Sequence, residues 1–308
     1  HPYDGFAPTV ELLRQAASDP EVLAIKMTVY RTGADSVMVG LLVDAARAGK
    51  DVTVVVELRA RFDEEANITL ATRLQEAGVQ VVYGVVGHKT HAKMMLIVRR
   101  EHRKVRRYVH LGTGNYHQGT ARGYTDFALL TASPGFGEDV QALFMQLSGL
   151  GRAANLGELV QSPFDLHDFL LRNIEREIGH AENGRPAGID AKMNSLTEPQ
   201  VIRALYRASR AGVPIRLIVR GTCCLRPGIE GLSETIEVRS ILGRFLEHAR
   251  VYRFVNGGAE DVWASSADWM ERNLFQRVEV AFPIHEPTLA RRVVEEAFEL
   301  AFADNRDA

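Results

Sequence analysis

Cysteine is scarce in this chain of 308 residues, which contains only Cys223 and Cys224. Adjacent cysteines seldom form a bridge because the short ring between them is strained, so the sequence excludes a disulfide-stabilised scaffold. The chain also has no CxxC pair, the commonest spacing of zinc-binding cysteines. We therefore expect free thiols in a reducing, cytoplasmic setting.

Long hydrophobic runs are also missing. The longest purely apolar stretches, such as Met94–Val98, have the length of a strand, so the sequence predicts no transmembrane helix. We expect no signal peptide either. The first residue is His1 rather than Met, and we expect a chain that is processed, trimmed or a piece of something longer.

The chain has no excess of charge of one sign. Its 37 Lys and Arg and 39 Asp and Glu give a net charge of −2. No global field draws in a polyanion, and we expect no nucleic-acid partner. The segment His88–Arg107 is nevertheless basic, with Glu101 as its only acid. It is either a solvated hairpin or a path that leads a polyanion to His91.

What the sequence does have is an alternation of strand and helix patterns, which predicts an α/β fold with mixed sheets flanked by helices. In the first half, three further strands follow a β-α-β-α-β series. The predicted strands are Val22–Tyr30, Asp51–Leu58, Val79–Tyr83, Met94–Arg99, Val105–Leu111 and Tyr124–Leu130, and the predicted helices are Ser36–Ala48 and Glu64–Ala77.

The second half repeats this order of elements after a looser region, Ser148–Ser162. We expect two similar domains, residues 1–160 and 161–308, related by a pseudo-twofold axis that places matching loops in one shared cleft. Lys26-Met27-Thr28 is taken to match Lys192-Met193-Asn194. The predicted helices are Phe164–Ile178, Gln200–Arg210 and Pro287–Ala301, and the predicted strands are Pro214–Val219, Arg250–Phe254, Val262–Ser266 and Arg277–Pro283.

Polar residues recur in both halves at equal spacing. His91-Ala92-Lys93 corresponds to His248-Ala249-Arg250, and Thr113 and Asp126 are 13 positions apart, as are Ser266 and Glu279. Thr113 and Ser266 belong to matched short motifs, Gly112-Thr113-Gly114-Asn115 and Ser265-Ser266-Ala267-Asp268.

This pattern suits phosphoryl chemistry. Side chains alternate along a strand, so His91 and Lys93 share one face. A neutral imidazole is a nucleophile, and a neighbouring cation stabilises the oxygens of the phosphoryl group that it attacks. A carboxylate such as Asp126 or Glu279 can accept a hydrogen bond from the second ring nitrogen and so orient the ring. Of two facing histidines, one serves as nucleophile and the other as general acid.

The duplicated His-x-Lys and Gly/Ser-Ser/Thr-x-Asn/Asp motifs resemble the phospholipase D superfamily, whose two copies form one active site. That superfamily usually has an aspartate seven positions after each histidine, where this chain has Val98 and Val255. A plain phosphodiesterase is therefore less favoured.

The chain also resembles, over essentially its whole length, the C-terminal catalytic half of bacterial polyphosphate kinases of the phosphohistidine type. The segments that carry this resemblance are His1–Asp4, Lys26–Thr32, Glu57–Glu64, His91–Lys93, Gly112–Tyr116, Lys192–Leu196, Gly243–His248 and Ser266–Met270.

The resemblance implies reversible transfer of the γ-phosphate of ATP to inorganic polyphosphate, with ADP as the other product. It implies a phosphohistidine on His91, with His248 as general acid and nucleotide contact. Further catalytic residues would be Lys93, Asp126 and Glu279; nucleotide contacts would be Tyr124, Arg220 and Asn115; and a Mg²⁺ site would involve Arg31 and Arg61.

For the Mg²⁺ site we favour arginines that hold the phosphates carrying the ion, because a guanidinium has no acceptor for a cation. Without the resemblance, Arg31 and Arg61 could equally be surface ion-pair residues, and Tyr124 a sheet-packing aromatic. The resemblance further implies a homo-oligomer for the full-length enzyme and leaves peripheral membrane association open. The alternative functions are a phospholipase D-like phosphodiesterase and a catalytically incomplete, polyphosphate-binding fragment.

Overall fold

The computed structural model describes residues 2–29, 36–57, 64–85, 87–149 and 155–304. Within it the chain divides into two compact units, His1–Leu159 (unit 1) and Val160–Ala308 (unit 2). Each unit has its own cluster of buried apolar residues. No helix of the described residues is long and apolar enough to cross a membrane.

Unit 1 alternates strands and helices and then continues with a long hairpin. Its helices are α1 (Ala7–Ser18), α2 (Val37–Arg47), α3 (Glu64–Glu76), α4 (Gln118–Ala121) and α5 (Pro134–Leu147). Its strands are β1 (Val22–Val29), β2 (Asp51–Val56), β3 (Gln80–Val82), β4 (Lys89–Thr90), β5 (Lys93–Glu101), β6 (Lys104–Gly112), β7 (Tyr124–Thr125) and β8 (Ala128–Thr131).

The sheet of unit 1 has the order β3-β2-β1-β5-β6-β8. β1, β2 and β3 run parallel, while β5, β6 and β8 join them as antiparallel neighbours. Met95 and Ile97 of β5 belong to the core formed with α1, α2 and α3. Because side chains alternate along a strand, the equally buried Met94 and Leu96 face the other side. There α5 packs against β5 and β6.

Unit 2 has the corresponding elements. Its strands are β9 (Val160–Ser162), β10 (Ile189–Met193), β11 (Ile215–Val219), β12 (Ile236–Arg239), β13 (Leu246–Glu247), β14 (Arg250–Phe254), β15 (Asp261–Ser265) and β16 (Arg277–Pro283). Its helices are α6 (Leu166–Glu182), α7 (Pro199–Arg210), α8 (Glu271–Phe275), α9 (Pro287–Val294) and α10 (Leu300–Ala303), with a 3-10 turn at Asn256–Gly258 and a π-helical turn at Glu295–Glu299.

The sheet of unit 2 repeats the topology of unit 1. Its order is β12-β11-β10-β14-β15-β16, again with three parallel strands followed by three antiparallel ones. α6 and α7 contribute to the core on one face of this sheet. The helical segment that begins with α9 contacts β15 and β10. The predicted α/β class, with mixed sheets flanked by helices, is therefore confirmed.

The strand beside each histidine gives a common reference for comparing the units. In unit 1, Lys26 of β1 lies opposite Leu96, five residues after His91. In unit 2, Lys192 of β10 lies opposite Val251, three residues after the matched histidine. The two lysines are therefore offset by two positions, and the predicted match between the two Lys-Met motifs is wrong by that amount.

The residue of unit 2 that takes the place of Lys26 is Asp190. It lies opposite Arg216 in the parallel pair of β10 with β11, as Lys26 lies opposite Thr53. Asp190 is buried and pairs with Arg216 at 2.8 Å and with Arg253 at 2.7 Å. The same backbone position thus carries opposite charge in the two units.

Several elements differ from the sequence-based prediction. Helices α1 and α5, strand β12 and the short elements β4, β9, β13, α4 and α8 were not predicted from the sequence. The strand predicted at Tyr124–Leu130 is divided into β7 and β8, with Asp126 between them. The predicted C-terminal helix, Pro287–Ala301, is present but contains the π-helical turn.

Candidate active site

His91 lies two residues before Lys93, the first residue of β5. Thr28 of β1 holds the backbone here: its hydroxyl donates to the carbonyl oxygen of Ala92 at 2.8 Å and accepts from the N–H of Met94 at 3.0 Å. His91 is half-buried and Lys93 is buried. Thr28 therefore sets the position of the chain on both sides of Lys93.

Lys93 lies near the carboxylate of unit 1 through the pairing of two strands. It is opposite Gly112 in the hairpin of β5 with β6. The next residue, Thr113, is buried. Its hydroxyl donates to Oδ1 of Asp126 at 2.6 Å and accepts from the N–H of Phe127 at 3.0 Å. The hairpin register thus brings Lys93 and Asp126 to the same edge of the sheet.

The loop after Thr113 is shaped around that carboxylate. A Cβ atom at Gly114 would lie 2.1 Å from Oδ2 of Asp126, so this position requires glycine. Asn115 is half-buried, and its Oδ1 is buried with no hydrogen-bond partner in the part of the chain that the structure describes. An unpaired buried acceptor costs free energy, so this amide is suited to a donor on a ligand.

Unit 2 presents the second histidine on the matching hairpin. His248 lies two residues before Arg250, the first residue of β14. Arg250 lies opposite Ser265, as Lys93 lies opposite Gly112. The guanidinium donates through Nη1 to the carbonyl oxygen of His248 at 2.6 Å and to its ring Nε2 at 3.2 Å. A buried arginine therefore contacts both the backbone and the ring of this histidine.

The carboxylate of unit 2 is fully buried. Ser266 donates to Oε2 of Glu279 at 2.5 Å and accepts from the N–H of Val280 at 3.1 Å. Asn273 donates to Oε1 of the same carboxylate at 2.7 Å, and Ser162 of β9 accepts from the Glu279 N–H at 3.2 Å. These contacts satisfy the charge that burial would otherwise make costly.

The two units therefore repeat one hydrogen-bond pattern. In each unit a hydroxyl donates a hydrogen bond to the carboxylate 13 residues later, Asp126 or Glu279. The same hydroxyl accepts a hydrogen bond from the backbone N–H of the residue that follows the carboxylate. The 13-residue spacing seen in the sequence thus corresponds to a hydrogen bond between the hydroxyl and the carboxylate, and this bond was not predicted. The role of the two carboxylates in orienting the histidines stays a prediction.

The other predicted ligands are less tightly defined. Tyr124 begins β7 and is half-buried. Arg220 follows β11, and its Nε donates to Oδ1 of Asn194 at 3.0 Å. Arg31 and Arg61, predicted near the Mg²⁺ site, lie outside the residues that the structure describes.

A histidine without a matched copy in unit 2, which the sequence indicates as structural or solvated, is buried next to the Thr113 loop. His110 of β6 contacts Thr9 Oγ1 through Nε2 at 3.2 Å and the Tyr116 hydroxyl through Nδ1 at 2.9 Å. Burial lowers the pKa of His110 to about 4 and raises that of Tyr116. Because Tyr116 directly follows Asn115, this pair anchors the far end of the loop. A histidine inside the apolar strand was the available signal.

A second unforeseen contact lies next to His248. Lys192 of β10 forms an ion pair with Glu247, the residue before that histidine. Lys192 is buried, and a buried ammonium in an apolar strand requires a partner. The sequence indicated the need but not the partner, because the two residues are far apart and the pair has no counterpart at matched spacing in unit 1.

A site built for a metal ion is not present among the described residues. They contain no group of three or more His, Cys, Asp and Glu side chains that could hold a cation. The donor sets at the two histidines are rich in guanidinium, ammonium and imidazole groups instead. These suit phosphate oxygens better than a cation.

Two family models together match nearly the whole chain. The first, described as polyphosphate kinase C-terminal domain 1, matches residues 1–153. The second, polyphosphate kinase C-terminal domain 2, matches residues 159–308.

A curated relative, the polyphosphate kinase of Xylella fastidiosa (strain 9a5c), is 65% identical over 308 residues, which are 100% of this chain and 44% of the relative. The crystal structure of polyphosphate kinase from Porphyromonas gingivalis is 40% identical, with a TM-score of 0.88 over 97% of this chain and 49% of that one. The chain thus spans less than half the length of these two relatives.

The fold is shared more widely. The phosphatidylserine synthase of Haemophilus influenzae matches with a TM-score of 0.64 at 10% identity, over 97% of this chain and 84% of that one, which shows the fold alone. These likenesses support the predicted α/β fold.

Proposed function

The chain belongs to the polyphosphate kinase family, and we propose that it transfers the γ-phosphate of ATP reversibly to inorganic polyphosphate through a phosphohistidine on His91. The observation that carries this proposal is the duplicated arrangement of histidine, cation, hydroxyl and buried carboxylate. An isolated histidine of this kind would more often be structural. Two copies in one hydrogen-bond pattern favour chemistry.

The first step would be attack by a ring nitrogen of His91 on the γ-phosphorus. The N–P bond forms, the bond from that phosphorus to the bridging oxygen breaks, and ADP leaves. In the second step a terminal oxygen of polyphosphate takes the phosphoryl group and His91 is restored. A covalent intermediate is useful because it divides one difficult transfer into two easier steps.

The main task in both steps is to neutralise phosphate charge. Lys93, two residues after the nucleophile, would stabilise the phosphoryl oxygens, and the unpaired amide oxygen of Asn115 would accept a hydrogen bond from the nucleotide. Tyr124 and Arg220 are proposed as further nucleotide contacts. Arginine is the side chain best matched to phosphate, since its N–H groups form a fixed fork.

Proton transfer is assigned to the second histidine. We propose that His248 supplies the proton for the leaving oxygen and contacts the nucleotide. Asp126 and Glu279 are proposed to accept from imidazole N–H groups and so orient the rings. Thr113 and Ser266 support this role, because each donates to one oxygen of its carboxylate and fixes the direction of the other.

Mg²⁺ enters this proposal as part of the substrate. The described residues do not fit a resident cation, and ATP is ordinarily bound with magnesium on its phosphates. Arg31 and Arg61 are proposed to hold those phosphates rather than the ion. No step is routed through the metal. A cytoplasmic location is part of the proposal, since ATP is the donor and both cysteines are free thiols.

The proposal is tested by incubating the chain with γ-labelled ATP and magnesium. We expect label on the protein that is labile to acid and stable to base, as a phosphohistidine is. His91→Ala should abolish it. The control is His102→Asn, at an exposed position with positive φ where asparagine is tolerated, and it should leave the label unchanged.

The alternatives give different results in the same preparation. Cleavage of bis-(p-nitrophenyl) phosphate without any label would favour the phosphodiesterase. Polyphosphate binding with neither activity would favour the catalytically incomplete fragment. Label that survives His91→Ala would overturn the assignment of the nucleophile.

A further inference from the structure

Arg250 is far more constrained than a residue that only attracts phosphate. It is the first residue of β14 and only 3% exposed. Its Nε and Nη2 face the carboxylate of Asp268, at 3.2 Å from Oδ1 and 3.3 Å from Oδ2. Its Nη1 donates to the carbonyl oxygen and ring Nε2 of His248. All three nitrogens are thus engaged within the unit.

The carboxylate that holds Arg250 is itself fixed. Asp268 is buried, and its Oδ1 also accepts from the backbone N–H of Asn194 at 2.7 Å. A side-on guanidinium-carboxylate pair defines the plane of the guanidinium as well as its position. Nη1 is therefore aimed at His248 by the backbone of β14 and by Asp268 together.

A guanidinium has five donors and no acceptor, whereas a neutral imidazole has one donor and one acceptor. In the contact between Nη1 and Nε2 the ring must accept. The lone pair is then on Nε2 and the proton is on Nδ1. The fully protonated ring has donors at both nitrogens and cannot accept from Arg250 at all.

We propose that Arg250, aligned by Asp268, is a positioning residue that fixes His248 in the tautomer with its proton on Nδ1. This deepens the proposed function, because it states how the second histidine is prepared. To act as an acid, His248 must take up a proton at Nε2, and its contact with Nη1 must open first. The phosphate oxygens of a bound substrate are acceptors that would draw Nη1 away.

Unit 1 has no equivalent device at the same positions. The residue that corresponds to Arg250 is Lys93, and the residue that corresponds to Asp268 is Asn115. An ammonium has a single nitrogen. It therefore cannot form a side-on pair with a carboxylate while a further nitrogen contacts the histidine ring, as the guanidinium of Arg250 does. The two histidines are thus prepared differently, although their backbones match.

The test is the tautomer of His248 in the ¹⁵N-labelled chain, read from long-range ¹H–¹⁵N correlations at neutral pH. The signals of His248 are those lost in His248→Gln. We expect the pattern of the Nδ1–H form in the unaltered chain. Arg250→Lys should lose that pattern in favour of the Nε2–H form or a mixture. Asp268→Asn, which keeps an acceptor for Asn194, should do so even if Arg250→Lys fails to fold.

Arg253→Lys is the matched control, because it lies on the same strand but pairs with Asp190 and Glu260. It should leave the His248 signals unchanged. An Nε2–H pattern in the unaltered chain, or no change in either variant, would overturn the proposal. The readout needs no ATP, so it can fail while the phosphohistidine test succeeds, and the reverse.

Discussion

Unit 1 and unit 2 have the same sheet order and the same hairpin register, yet the side chains around their histidines are different. In unit 1 a short carboxylate, Asp126, lies against Gly114. In unit 2 the longer Glu279 takes that role, and the position of Gly114 is occupied by Ala267. The loop residue and the length of the carboxylate have changed together.

This difference separates what the framework fixes from what the side chains decide. The backbone places a hydroxyl next to a carboxylate in both units, at nearly equal distances of 2.6 and 2.5 Å. The cation two residues after each histidine is free to vary, and it does: it is Lys93 in one unit and Arg250 in the other. We infer that a duplicated scaffold supplies position, and that exchange of a few side chains supplies distinct roles.

The largest effect should come from a buried histidine of unit 1 that has no counterpart at the matched position of unit 2. The position of His110 is Trp263 in unit 2, three residues before the matched hydroxyl. Because the pKa of His110 is about 4 when folded and near 6.5 when unfolded, the unfolded chain binds more protons between those values. Stability should therefore fall as the pH drops from 6.5 to 4, by on the order of 3 kcal/mol.

Urea unfolding at neutral and acidic pH checks this prediction. His110→Gln should lower stability at neutral pH and remove this part of the pH dependence. The exposed His102→Asn should leave the dependence as it is. An unchanged slope in His110→Gln would show that acid acts elsewhere.

The next effect concerns the residue beneath the carboxylate of unit 1. Gly114→Ala would place a Cβ 2.1 Å from Oδ2 of Asp126, so the carboxylate must move. A displacement of about 1 Å in a catalytic group can cost on the order of a hundredfold in rate. We expect a loss of that size in formation of the phosphoprotein. Ala267→Gly, the reverse exchange in unit 2, should have a much smaller effect, and equal effects would contradict the comparison.

A smaller effect is expected when the hydroxyl of unit 1 is removed. Thr113→Val loses the donor to Asp126 and the acceptor for the N–H of Phe127. A buried hydrogen bond to a charged group contributes about 2 kcal/mol. Denaturant unfolding should show a loss of that order. Thr113→Ser should be nearly neutral because Ser266 already performs this role in unit 2, and a large loss in that variant would argue against equivalence.

The smallest effect should come from the hairpin tip, where the two units differ in charge. Unit 1 has the exposed Arg103 and Lys104 at this turn, whereas unit 2 has Glu260 and Asp261. The tip is about 26 Å along β5 from Lys93, at about 3.3 Å per residue. That exceeds the screening length of about 10 Å at 0.1 M salt.

Replacing Arg103 and Lys104 by serine should therefore change the affinity for long-chain polyphosphate by no more than about twofold, as expected for exposed charges. Titration at about 0.1 M salt measures it. A much larger loss would revive the interpretation of this segment as a path for the polyanion.

The sequence predicted the strands next to the site and the spacing of 13 residues, because buried strands have clear apolar runs and the spacing occurs twice. It could not predict how β1 of unit 1 aligns, residue by residue, with its counterpart β10 of unit 2. Side chains alternate with period two, so a shift of two residues leaves the buried and exposed faces unchanged. Only the pairing with β5 and β14 shows that Lys192 takes the place of Thr28.

Other parts of the site could not be predicted because they depend on tertiary contacts between distant residues. Asn273 and Ser162 reach Glu279 from α8 and β9, and neither has a counterpart at matched spacing. Helix α5 begins with Pro134 and has two glycines in its first turn, a composition typical of a loop. Its packing against β5 and β6 stabilises the helix in spite of that sequence.

The most direct test of the central claim is to locate the phosphoryl group on the two matched histidines. The chain is incubated with ATP and magnesium, digested at basic pH, and the phosphorylated peptide is identified by mass spectrometry. The account predicts phosphate on His91, next to Lys93, and none on His248, whose Nε2 is held by Arg250. Phosphate on His248, or equal occupancy of both, would contradict the assignment of different roles to the two units.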